Sequence, residues 1–144
     1  VRIDQLQKGP LTINNVYQID PFGNELVVIK LTGAEIYSLM RAAWPVDDNS
    51  PLYPSGIRTE VKIDTEGNPG EFILMTEVGS PLDPDRIYTV AMNSYMTLVY
   101  KYTHADQGQS LFITTADATI SYLRKIKDVR SYKGEKRVVV NKFN

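Results

Sequence analysis

Cysteine is absent from the 144 residues, and only one histidine, His104, and one tryptophan, Trp44, occur. The first absence excludes disulfides, thiolate metal sites and cysteine nucleophiles together. One imidazole with scattered acids cannot assemble a two-metal hydrolytic centre, which needs several imidazole and carboxylate ligands. Charge of one sign is also lacking: 16 basic and 17 acidic residues leave a formal charge of -1. The densest cationic cluster, Arg124-Lys125-Ile126-Lys127, falls near a helix end, where cations suit the macrodipole. Nucleic acid is therefore not an expected partner. No apolar run is long enough to cross a bilayer, and no stretch reads as a signal peptide. Repeats, low-complexity segments and interior linkers are missing as well. Gly-x-Ser-x-Gly elbows, phosphate-binding glycine loops and a Ser/His/Asp order are not found.

What is present suits a single domain over residues 1–144, with 42% hydrophobic residues to supply its core. The organising stretch runs from Asp20 to Ile36. Pro21 sets its own φ and extends Asp20, and Gly23 permits a φ its neighbours resist, so Phe22 is carried on a tight turn. That ring either plugs a core edge or presents a face for stacking. Leu26-Val27-Val28-Ile29 with Leu31 follows as a short buried strand. Thr32 then opens a helix: Glu35, three residues on, completes a capping box, and Ile36, Leu39, Met40 and Ala43 recur at helical spacing.

Elsewhere Thr12 and Asn15 predict a short helix toward Tyr17. Ile57, Thr59, Val61 and Ile63 alternate with Arg58, Glu60 and Lys62, a strand with one wet face, and Phe72 to Met75 returns as its hairpin partner. The loop acids Asp47 and Asp48 lack the spacing and glycine of a calcium loop and are expected to be solvated. Arg86 to Met92 reads as a strand covered on both faces, which delivers Asn93 and Tyr95 to a loop. A helix capped by Thr114 or Thr115 follows, with Ala116, Ile120 and Leu123 buried and Tyr122 beside them. Arg137 to Val140 closes the chain as a strand. The expected fold class is α+β, with a mixed or antiparallel sheet and packed helices.

Pro21-Phe22-Gly23-Asn24, the apolar strand and Leu31-Thr32-Gly33-Ala34-Glu35-Ile36 resemble the C-terminal domain of the 5'-nucleotidase and UDP-sugar hydrolase family. Gly9 to Ile13 with Asn15-Val16-Tyr17, and Pro81 to Ala91 with Asn93-Ser94-Tyr95, agree in order and spacing from Arg2 to about Tyr95. The resemblance implies a nucleotide or nucleoside ligand. In the family the residue matching Phe22 stacks on the base, that matching Tyr95 forms the opposite wall, Asn24 lies near the ligand, and Arg2 helps hold it. A guanidinium suits bidentate pairing with phosphate or hydroxyls. Hydrolysis in the family belongs to a separate metallophosphoesterase domain. The resemblance thus implies no catalytic residue and no cofactor in this chain, divalent metals in the separate domain or chain, and a periplasmic or cell-surface address. The chain opens on Val1-Arg2, inside a family motif, so a processing site or domain cut is expected just upstream.

After Tyr95 the pattern departs. The family continues with two glycines, an acid and a glycine; here Met96 to His104 intervene, Lys101 stands where the acid is expected, and the next glycine is Gly108. Either Asp106 substitutes in a remodelled loop, or ribose binding in this mode is lost. The competing reading is a non-catalytic interaction module that keeps the fold without nucleoside binding. A self-sufficient hydrolase built on Asp106 and His104 lacks a third orienting group.

Overall fold

The computed structural model describes residues 6, 8–44 and 52–142. Along the chain run α1 (Ile13–Ile19), β1 (Glu25–Thr32), α2 (Gly33–Ala42), β2 (Ile57–Ile63), β3 (Pro69–Thr76), β4 (Ile87–Asn93), α3 (Ser94–Val99), β5 (Gln109–Thr114), α4 (Thr115–Ile126) and β6 (Val138–Lys142). The α+β class expected from the sequence is the one adopted. The strands, however, divide between two sheets, ordered β4-β1-β5 and β3-β2-β6. Contacts divide the chain into two units. The first takes the described residues up to Ile29 with Thr89–Val99 and Gln107–Ser131, and the second takes Lys30–Tyr88, Tyr100–Asp106 and the residues from Tyr132 on.

In the first unit, α1 starts as expected at Thr12, which accepts the Asn15 N–H while Asn15 returns a carboxamide oxygen to the Thr12 N–H, a reciprocal cap. Its buried Val16 packs with Ala116 and Ile120 of α4, and Leu123 is half-buried against them. Thr114 caps α4 by accepting from the Asp117 N–H, and Arg124 and Lys125 occupy its last turn. Tyr122 is exposed rather than packed beside this stripe, because it lies one position off the Ala116–Ile120–Leu123 line. β1 pairs antiparallel with β5 through Glu25↔Thr114 and Val27↔Ser110. Strand β4 is covered on one side only: Met92 is buried, but Ile87, Thr89 and Ala91 are exposed, contrary to the expectation of two covered faces. Apolar, aromatic or β-branched residues from Ile87 to Met92 do not tell which faces of a strand are covered; tertiary packing decides it.

In the second unit, β2 lies between β3 (antiparallel, Val61↔Phe72) and β6 (parallel, Val61↔Val140). Thr59, Val61, Phe72 and Leu74 are buried, and α2 packs on β3, with the ring edges of Tyr37 and Trp44 meeting Phe72 at 6.0 and 5.5 Å. Thr32 and Glu35 form the expected capping box of α2, whose buried residues Ile36, Leu39 and Met40 keep the helical spacing.

Thr59 is the anomaly in this core. It is 1% exposed, and its hydroxyl has no hydrogen-bond partner among the described residues. A buried hydroxyl without a partner costs about 1–3 kcal/mol, and valine has nearly the same shape. Thr59→Val is expected to raise stability by about 1 kcal/mol, read as a higher urea midpoint at unchanged slope.

Candidate functional site

The turn after α1 is fixed at three points in the first unit. Gly23 takes φ 65, the left-handed conformation the sequence reserves for it. Asp20 ends α1, its N–H donating to the Val16 carbonyl, and its carboxylate accepts from the Thr115 hydroxyl. The Asn24 carbonyl accepts from the Thr115 N–H at 2.8 Å. One residue later the Glu25 N–H donates to Ser94 Oγ at 3.1 Å, and Ser94 is the first residue of α3. Asn93 stabilises that helix start, its side-chain oxygen accepting from the Met96 N–H. Asn24 and Tyr95 therefore flank a single hydrogen bond, each one residue away from it.

Phe22 is 52% exposed and Tyr95 54% exposed, so neither ring is consumed by the core. Asn24 is half-buried. The structure brings Phe22, Asn24 and Tyr95 into one unit, with Tyr95 on the first turn of a helix rather than in the expected loop. Six residues from Ser94 to Val99 suffice for that turn because Asn93 supplies the cap and the Thr97 hydroxyl donates to the Ser94 carbonyl. Arg2 lies outside the described residues, as do Asp47 and Asp48. The part Ser94 and Thr115 play in holding the turn is not readable from the sequence, because each hydroxyl's partner is dozens of residues away.

Beyond α3, the part of the segment replacing the expected glycine loop that runs from Tyr100 to Asp106 is held within the second unit. The Lys30 N–H donates to Asp106 Oδ2 at 2.7 Å and the Ala105 N–H to Glu35 Oε1 at 2.7 Å. His104 Nδ1 lies 2.6 Å from the Asp106 carbonyl, which can only accept, so the ring carries its proton there. Tyr102 stacks on that imidazole, ring centroids 4.6 Å apart, and burial raises the Tyr102 phenol above its ordinary value. One Asp106 oxygen is thus taken up by strand backbone. Lys101 is exposed.

Glu35 serves two segments at once. Its Oε2 accepts from the Thr32 N–H and its Oε1 from Ala105, and the Thr32 bond chiefly holds its carboxyl below the usual glutamate range. A depressed carboxylate contributes stability that is complete above its unfolded value and lost as pH falls through the folded one. Glu35→Ala is expected to lower Tm by about 3–5 °C at neutral pH, as loss of a cap does. Thermal melts from neutral to acid pH check this, since the gap between variant and parent closes on acidification.

Among the described residues no three His, Asp or Glu side chains gather as a metal site. The acids near the turn, Asp20 and Glu25, are each engaged by a hydroxyl, a donor set unlike that of a divalent hydrolytic centre.

The chain is similar to a probable 5'-nucleotidase of Treponema pallidum, 25% identical over 145 residues, covering 88% of this chain and 24% of that protein. It is likewise similar to the trifunctional nucleotide phosphoesterase protein YfkN of Bacillus subtilis, 26% identical over 144 residues, 92% of this chain and 10% of the relative. Among solved structures, a 5'-nucleotidase precursor from Thermus thermophilus superposes with TM-score 0.73 at 28% identity, over 93% of this chain and 28% of that one. The NAD nucleotidase of Haemophilus influenzae shares the fold, with TM-score 0.72 at 22% identity over 93% of this chain and 27% of that one. Fold and sequence thus place the chain among the domains of nucleotide phosphoesterases, of which it spans about a quarter or less of the length. The family model described as 5'-nucleotidase, C-terminal domain, matches residues 1–100, and the chain belongs to that family.

Proposed function

We propose that this chain is the nucleotide-recognition domain of a 5'-nucleotidase-type phosphoesterase. A base lies between Phe22 and Tyr95, Asn24 and Arg2 hold the sugar and phosphate side, and a metal-bearing domain or chain performs the hydrolysis. The Glu25–Ser94 hydrogen bond carries this reading, because it couples the aromatic turn to the aromatic helix start while both rings keep about half their surface open. A base held by two aromatic faces needs no donor specific to one base, which suits a recognition domain that tolerates several. An exported location is part of the same proposal and rests on family resemblance. Among the described residues no helix is long and apolar enough to cross a membrane.

Titration of the chain with adenosine, AMP and UDP-glucose by calorimetry tests the reading. Saturable binding is expected; no heat at millimolar ligand would sink it. The second reading, an interaction module that has lost its nucleoside site, is favoured by one observation: Asp106, the nearest acid to the missing glycine loop, spends a carboxylate oxygen on the Lys30 amide. Under that reading the titrations are blank.

A further inference from the structure

Strand β5 contains a residue whose conformation has no return in folding. Phe112 takes φ 56, a left-handed geometry that a bulky side chain rarely adopts, and it is 84% exposed. Glycine would take this φ at no steric cost, and a polar residue would not expose an aromatic ring to water. The conformation belongs to a bulge: between the pairs Glu25↔Thr114 and Val27↔Ser110, Leu111, Phe112 and Ile113 stand against the single residue Leu26. Bulges of this kind re-aim a side chain, and strained residues gather at ligand sites.

The bulge is tied to the candidate site by a continuous chain of hydrogen bonds. The Phe112 N–H donates to Ser110 Oγ at 3.0 Å, and the Ser110 hydroxyl donates to the Glu25 carboxylate. The Glu25 N–H in turn donates to Ser94, beside Tyr95, while Glu25 itself follows Asn24. Glu25 is thus common to both: its carboxylate anchors the Phe112 bulge through Ser110, and its N–H joins the Phe22 turn to α3. Packing does not explain the ring, and its anchorage runs to the residues beside Asn24 and Tyr95.

We propose that Phe112 is a third ligand-contacting aromatic of this site, lying against the open edge of a nucleotide whose base is held by Phe22 and Tyr95. The inference rests on the nucleotide-recognition reading and adds a specificity residue to it. Its position on a bulge, apart from both stacking walls, suits an edge contact more than a face-to-face one.

The test compares Phe112→Gly and Phe112→Asn with the unchanged chain and with Phe22→Ala, using AMP as probe. Both position-112 variants tolerate the left-handed backbone, so each keeps the turn while removing the ring. Expected are a Tm equal to the parent's or, for glycine, raised by about 3 °C, and an AMP affinity lowered by about fivefold, the low end of a stacking contact. Phe112→Tyr is expected to restore the affinity. Parent-like AMP affinity in both variants, while Phe22→Ala loses binding, would overturn the role of Phe112 and leave the nucleotide reading standing. Failure of the unchanged chain to bind AMP would overturn that reading and the Phe112 contact with it.

Discussion

On the proposed reading, Phe22→Ala is expected to weaken the binding of AMP and adenosine by about 5–150-fold, the loss that corresponds to ~1–3 kcal/mol for one stacked base. The effect is expected on both ligands alike, because a stacking ring would contact the base and not the phosphate. It is also expected to be nearly independent of salt, unlike a contact made by a cation. Stability is a separate matter. Phe22 is about half exposed, and the turn that carries it is held by Asp20, Asn24 and Glu25 through bonds that do not involve its ring. The variant should therefore melt within about 2 °C of the parent, since surface substitutions away from buried features stay within ~0.5 kcal/mol. Calorimetric titration beside a thermal melt separates the two quantities. Unchanged affinity in a folded Phe22→Ala chain would remove the stacking role from this residue.

Gly33→Ala is the substitution with the largest expected effect on stability. Gly33 is buried at the first position of α2, and its φ is not left-handed, so space and not backbone freedom demands the glycine. A Cβ there would stand 2.1 Å from the Asp83 carbonyl oxygen, 2.8 Å from its carbon and 3.0 Å from Pro84 Cα. All three are backbone atoms, so no rotamer change relieves the clash. The closeness has a cause. The Gly33 N–H donates to the Arg86 carbonyl at 3.1 Å and the Ala34 N–H to the Pro84 carbonyl at 3.0 Å, so the 83–86 turn satisfies two donors that a helix start otherwise leaves open. A methyl group pushes the turn away and loses both bonds. Overpacking of this kind costs about 3 kcal/mol, and Tm is expected to fall by roughly 10 °C. Exposed Ala34 is the control: Ala34→Gly should cost only about 1 kcal/mol, from helix propensity. A Gly33→Ala chain as stable as the parent would mean that the turn yields without penalty.

Local chemistry was legible in the residues wherever partner and effect lie within one turn. Thr32 with Glu35 closes the expected capping box, Thr12 with Asn15 starts α1, and of the two threonines that could cap α4 the structure uses Thr114, each over three positions. The β2–β3 hairpin and the buried stripe of α2 follow from alternation and helical spacing for the same reason. Ser94 and Thr115 escaped because a hydroxyl is indifferent to sequence until a backbone amide or carboxylate arrives from elsewhere. Tyr95 was assigned to a loop because one turn of helix with no buried residue leaves no apolar period to read. The Phe112 bulge is not legible in the sequence, since neither bulge nor positive φ has a signature without glycine.

By itself the sequence determined most of the elements, the capping box of α2, the family, and the turn that lifts Phe22, because each depends on residues within a few positions of one another. Only the tertiary structure decided that strands divide between two sheets and that Glu25 joins Ser94. It likewise decided that Asp106 serves Lys30 and that Gly33 must be glycine. These depend on which groups meet between segments far apart in the chain, and hydrogen bonding and steric exclusion act on distance in space, which local residue type does not encode.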